Sequence, residues 1–202
     1  MDMDFFTLVQ TRRTVRAFRP DSPPREAIEQ IIAAASWAPS PHGRQPWRFV
    51  VVEAPERKLA LANAMAEAWR YHLALDGLDP STIEYRLCRS RERVVTAPVI
   101  IIPCLYLNDL DRYPDPERQA AETTMAIQSL GCAVQNMLLA AFALDLAAGW
   151  MCAPLFAPAA ARAALGLAED LHPHALIPIG YLAQEPKRRP RRPLSDLIVQ
   201  WQ

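Results

Sequence analysis

The chain has 202 residues, with 22 Lys+Arg against 22 Asp+Glu and a formal net charge of zero. That length suits one well-buried domain over residues 1–202 better than two. Zero net charge gives no global field that would draw the chain to nucleic acid or a membrane surface.

The four cysteines, Cys88, Cys104, Cys132 and Cys152, are far apart and form no C-x-x-C pair. Such spacing argues for reduced thiols in a cytoplasmic protein and against a disulfide framework or zinc site. The opening Met-Asp-Met-Asp-Phe-Phe is acidic where a secretory signal is basic, so none is read.

Asp4 to Gln10 predicts a short helix that delivers Thr11-Arg-Arg-Thr-Val-Arg-Ala-Phe18. Ser22 and Pro23 predict the cap and first position of a second helix. Ile28, Ile31, Ile32 and Ala35 form its apolar stripe, and Pro39 and Pro41 stop it. Trp47 to Glu53 is β-branched and apolar on both faces, as in a central strand. Glu56 to Leu75 predicts a helix with Leu59, Ala62, Met65, Trp69 and Leu73 on one face. Asp79-Pro80 caps another, running to about Val94, and Ala97 to Leu105 predicts a second buried strand.

Asp115-Pro116 opens a long helix ending near Leu146. Its apolar stretch from Leu130 to Trp150 has transmembrane length, but Gln135, Asn136 and Asp145 interrupt it. A buried helix, with a face for a subunit interface, is expected. Ala148 to Cys152 reads as a strand or an extended connection. Pro158 to Leu165 reads as a short helix and Ala175 to Leu182 as a third strand. Gln184 to Pro193 is rich in Pro and Arg, and Leu194 to Trp201 turns apolar again. Few strands with long connections suit a sheet covered by helices. An apolar end after a charged arm suits docking on a second subunit.

Six glycines and no G-x-G-x-x-G or G-x-x-x-x-G-K-[ST] leave a backbone phosphate cradle unsupported. Side chains would have to grip any phosphate. Arg12 and Arg16 present forked donors matched to phosphate oxygens, and Thr14 adds a hydroxyl. A solvated basic helix end is the plain alternative. Pro39-Ser40-Pro41-His42-Gly43-Arg44-Gln45-Pro46-Trp47 is a turn-rich loop ahead of a core strand, where sites are often carried. A simple helix-to-strand connection, with Gln45 capping the turn, is its alternative.

Lys187-Arg-Arg-Pro-Arg-Arg192 could serve as a nuclear address or an RNA-binding tail, yet the aromatic residues of single-strand binders are missing. His172-Pro-His174 places two imidazoles on one side of an extended chain without an acidic or cysteine partner nearby. Asp109, Asp111 and Asp115 read as a solvated acidic loop with a helix cap rather than a cation site. No metal is expected.

The pairing of Arg-Arg-Thr-Val-Arg with the Pro-Ser…Gln-Pro-Trp loop at this spacing resembles the nitroreductase family of FMN enzymes. The resemblance implies an α+β fold: a mixed β-sheet covered by helices, a long interface helix, and a C-terminal arm reaching the partner subunit of a homodimer. It implies FMN contacts from Arg12, Arg13, Thr14, Val15 and Arg16, and from Pro39, Ser40, Pro41 and Gln45 on the other wall. Met151 and Cys152 would offer backbone N–H groups to the ring; the side chain of Cys152 reads as a small buried filler rather than a redox thiol. Arg189 and Arg191 would return to the flavin phosphate. No catalytic side chain is implied, because flavin N5 carries the hydride and Arg16 steadies the anionic reduced ring.

Within the family the chain is most similar to the C-terminal FMN domain of bacterial F420:L-glutamate ligase, which reduces dehydro-F420-0. Ala38-Pro-Ser-Pro-His42, Trp69-Arg70, Asp76-Gly-Leu78, Ala97-Pro98, Tyr113-Pro-Asp115 and Leu155-Phe-Ala157 carry that similarity. It implies a small conjugated acceptor bound near Ser40, His42, Arg70 and His72. His72 stands where the similar domain is acidic, Gly43 where general nitroreductases often carry Asn, and no ligase domain is present. Electrons would come from NAD(P)H or from a reduced flavin or deazaflavin. A broad nitro- or quinone reductase and a flavin carrier without turnover are the other readings.

Overall fold

The computed structural model describes residues 4–188 and 190–202. Six helices flank a five-stranded sheet: α1 (Phe5–Thr11), α2 (Arg25–Ser36), α3 (Pro55–Leu75), α4 (Pro80–Val95), α5 (Pro116–Ala143) and α6 (Pro158–Leu165). The strands are β1 (Trp47–Val52), β2 (Val99–Tyr106), β3 (Ala147–Ala148), β4 (Leu171–Pro173) and β5 (Ile177–Gly180). The order is β1-β2-β5-β3, with β4 paired to the far end of β2. All these strand pairs are antiparallel, and a parallel pairing enters at the Thr14–Ala148 bridge.

Strand β2 shows why the molecule is a helix–sheet–helix sandwich. Side chains alternate across a strand, and every residue from Val99 to Leu105 is buried. Val99, Ile101 and Leu105 join α2 and α5 in one apolar cluster. Ile100, Ile102 and Cys104 join α3, α6, Val15 and Phe18 in the other. The expected α+β architecture is therefore present, with helices on both faces of the sheet.

Four local expectations need correction. Helix α2 starts at Arg25 with Pro24 at the cap, and no side chain caps it. Prolines 23 and 24 hold an extended lead-in, so Ser22 lies too far upstream to cap. On α3, Leu59 faces solvent while Leu61, Ala62, Met65 and Leu73 are buried. The long helix ends at Ala143, because Asp145 takes a left-handed φ of 57° and turns the chain into β3. Strand β1, expected to be central, lies at the edge of the sheet order, with Arg48 and Val51 exposed.

Helix α5 is long and apolar enough to cross a membrane by length and composition alone. Ala126, Leu130, Ala133, Val134, Met137, Leu138 and Ala141 are instead packed into the core.

Candidate functional site

The segment after α1 is held as a strap across the sheet end. The N–H of Val15 donates to the carbonyl of Ala148 at 3.0 Å, and the N–H of Arg19 donates to that of Tyr181 at 2.9 Å. Val15 and Phe18 anchor it by pointing into the core. Arg12, Thr14 and Arg16, between and before these anchors, are left on the outer side.

That strap lines a cavity of about 870 Å³ together with α1, α5 and the C-terminal arm. Arg12, Arg13, Thr14, Arg16 and Arg191 all border it. The basic runs near the two ends of the chain thus border one cavity. Arg189 lies outside the described residues. Gln135, Lys187 and Arg188 also border it, although nothing in the sequence assigns any of them a flavin role. The last two belong to the same basic run as Arg191.

The electrostatics of this cavity call for an anion. Burial, then the neighbouring charges of Arg191 and Arg13, push the Arg12 guanidinium below its usual pKa. Its Nε is buried without a hydrogen-bond partner. A buried unpaired guanidinium N–H is costly unless an acceptor enters. Arg13 is differently occupied: its Nη1 donates to the carbonyls of Gln10 at 2.7 Å and Arg12 at 2.8 Å, closing the end of α1. Val15 contributes little more than backbone, since its side chain is in the core.

Met151 and Cys152 continue from β3. Met151 exchanges backbone hydrogen bonds with Leu176, at 3.0 and 2.8 Å. Its N–H is therefore engaged within the sheet rather than offered outward. Cys152 is exposed, not a buried filler.

The Pro39–Gln45 loop does not border the basic cavity of its own chain. It is rigid nonetheless. The N–H of Gln45 donates to Ser40 Oγ at 3.1 Å, Arg44 pairs with Asp111, and Arg48 Nη2 pairs with Asp109 at 2.7 Å. His42 and Gln45 hold left-handed φ values of 54° and 49°, a strained arrangement for non-glycine residues. Asp109 and Asp111 thus clamp the loop, and Asp115 caps α5 through the N–H of Arg118. No group of three or more potential metal ligands occurs among the described residues.

The expected acceptor residues separate. His72 borders an apolar cavity of about 260 Å³ with Met65, Trp69, Ser90, Phe156 and Ala157. Arg70 does not border it. Its guanidinium is held by Glu84, with Glu67 3.7 Å from Nε. An arginine already paired with a carboxylate of the neighbouring helix α4 is less ready to take an anion. His42 and Ser40 are absent from this cavity too.

Residues 9–181 match the nitroreductase family. The chain belongs to that family. It is 30% identical over 220 residues to an NADH dehydrogenase of Thermus thermophilus, covering 98% of this chain and 96% of that protein. A solved Desulfovibrio desulfuricans structure, described as a nitroreductase in complex with FMN, is 27% identical. It covers 100% of this chain and 98% of its own, with a TM-score of 0.75. The FMN-dependent nitroreductase NfnB of Mycobacterium smegmatis, solved with NADPH, shares the fold at a TM-score of 0.73 and 24% identity, with 96% of each chain covered. This nitroreductase-family chain is an oxidoreductase whose basic cavity joins both chain ends.

Proposed function

We propose that this single-domain protein is an FMN-dependent oxidoreductase that takes electrons from NAD(P)H and reduces a small conjugated acceptor. The observation that carries it is the orphaned Arg12 Nε inside a basic cavity with no glycine-built phosphate cradle. Arg12, Thr14, Arg191 and Arg189 would hold the FMN phosphate. When bound, the flavin supplies the two-electron chemistry. Arg16 stands further along the strap to stabilise negative charge on the reduced ring. The Desulfovibrio relative's bound FMN and the NADH dehydrogenase name of the Thermus relative support cofactor and donor.

The active unit is proposed to be a homodimer. The Pro39–Gln45 loop of one chain would close over the cavity of the other, since it does not close its own. Fluorescence titration of FMN into the flavin-free protein, followed by anaerobic mixing with NADH and NADPH, tests the reading. Tight binding and bleaching of the flavin are expected. Absence of saturable FMN binding overturns it.

A narrower reading makes the acceptor deazaflavin-like, as for a stand-alone dehydro-F420-0 reductase. The similarity to the ligase domain and the placement of His72 beside Trp69 in an apolar cavity favour it. The engagement of Arg70 by Glu84 removes one expected anion contact. Titration with F420-0 decides it. Saturable binding weakened by His72→Ala but not by Arg70→Ala supports the reading. No binding leaves the broad nitro- or quinone-reductase reading.

A further inference from the structure

Gln45 ends the Pro39–Gln45 loop with a left-handed φ of 49° and stands directly before Pro46. A non-glycine residue keeps that conformation only where its surroundings over-determine it. Here the backbone is gripped on both sides. The N–H donates to Ser40 Oγ at 3.1 Å. The carbonyl accepts from the N–H of Trp47 at 2.8 Å and from Arg48 Nη1 at 3.3 Å.

Arg48 is the hub of this grip. The same Nη1 donates to the Trp47 carbonyl at 2.8 Å, and Nη2 donates to Asp109 Oδ2 at 2.7 Å. The guanidinium also lies over the Tyr106 ring, 4.7 Å from its centroid. Asp109 closes the turn Leu107–Asp109 that follows β2, and Arg44 pairs with Asp111 two residues further on. Gln119 of α5 fixes that segment in turn: its Oε1 accepts from the N–H of Tyr113 at 3.0 Å, and its Nε2 donates to the Asp111 carbonyl at 3.5 Å. The Arg48–Asp109 pair is 47% and 42% exposed, and exposed pairs add little stability. A planar fork held at both nitrogens and stacked on a ring does fix direction. The product of the network is therefore the orientation of Gln45.

Resting on the reading that the Pro39–Gln45 loop lines the FMN site, we infer that Arg48 is a positioning residue for that site. Tied to Asp109 and Tyr106, it holds the Gln45 carbonyl and so keeps Gln45 in the left-handed conformation that presents its side-chain amide to the flavin. Arg48 acts through Gln45 and not on the flavin. Lysine carries the charge without the planar fork, so it can keep Asp109 but not the carbonyl contact and the ring stacking together.

The test is a double-mutant cycle on FMN affinity. FMN is titrated by fluorescence into flavin-free wild type, Arg48→Ala, Gln45→Ala and the double variant, with Arg48→Lys alongside. Each single alanine variant is expected to bind FMN about five- to tenfold more weakly, the scale of one hydrogen bond. The double variant should be no more than about twofold weaker than Gln45→Ala, because Arg48 has lost the side chain it positions. Arg48→Lys should recover part of the loss. The absorption band of bound FMN should shift alike in the two single variants and no further in the double. The inference is overturned if Arg48→Ala binds FMN as wild type does, or if the two losses multiply in the double variant as independent contributions would. Those outcomes leave the FMN reading standing, whereas a wild type that binds no FMN overturns both.

Discussion

Gly149 rests against the backbone carbonyl of Val15, and a Cβ at position 149 would overlap that oxygen and touch Pro178 Cγ at 3.4 Å. This contact lets the arginine strap lie flat along β3. The hydrogen bond from Val15 N–H to the Ala148 carbonyl depends on the same approach. Gly149→Ala is expected to push the strap outward. Overpacking of this kind costs about 1–3 kcal/mol, and here it also displaces Arg12, Thr14 and Arg16. Thermal unfolding should show a lowered Tm, and FMN content should fall on gel filtration. Wild-type flavin retention in the variant would show that the strap position does not matter to binding.

Arg12 is expected to dominate the grip on the phosphate. It is the member of the cluster that is partly buried, has an unpartnered Nε, and is crowded by Arg13 and Arg191. Arg12→Ala should weaken FMN binding by about 1.5–3 kcal/mol, the worth of a hydrogen bond to a charged group, or about 10- to 150-fold in Kd. The same substitution relieves repulsion in the flavin-free protein, so its apo Tm should hold or rise. A fluorescence titration and an apo melting curve check both. Unchanged FMN affinity would remove Arg12 from the site.

Much of this was legible in the chain because local chemistry and tertiary placement agree. The continuous apolar run of Val99–Leu105 and the punctuation at Asp79-Pro80 and Asp115-Pro116 are local signals, and each element formed close to where it was read. The basic runs at the two ends were readable as charge, and the strap's pairing with Ala148 of β3 and with Leu182 just beyond β5 brings them together. Other features depend on partners distant in sequence. Strand β4 is three residues containing a proline, and it exists through pairing with Cys104, Leu105 and Tyr106. Arg70 looked available until Glu84 folded beside it.

Cys104 gives a pH signature of the core. Burial between the sheet and α3 pushes its thiol pKa up from 9.0 to about 12. The folded state therefore keeps a proton that the unfolded chain releases above pH 9. Stability should fall as pH rises through that window, with a slope approaching about 1.4 kcal/mol per pH unit for one proton. Denaturant unfolding at pH 8 and pH 10.5 should show a larger loss for wild type than for Cys104→Ala. Other titrating groups are common to both proteins and cancel. A thiol reagent at pH 8 should leave Cys104 unmodified until denaturant is added, because the reactive thiolate is suppressed. Equal pH dependence in the two proteins would contradict this account.

The last expectation concerns assembly. Phe5 and Phe6 on α1 are 63% and 73% exposed, and Val199 and Trp201 in the tail are 97% and 86% exposed. Leu194 and Leu197 add to the same C-terminal segment. Large exposed apolar side chains at both ends of the chain are what a subunit interface covers. Light scattering at micromolar concentration should give twice 22.6 kDa. Removing residues 194–202 should lower the dimer affinity and, with it, FMN retention, because the arm carrying Arg191 loses its anchor. The Pro39–Gln45 loop adds a second check: Gln45→Ala in one chain should affect the cavity of the other. Mixed dimers of Gln45→Ala and Arg12→Ala subunits should then hold one unimpaired site, formed where the Arg12-bearing cavity meets a Gln45-bearing loop. A 22.6 kDa monomer that still retains FMN would refute the shared site.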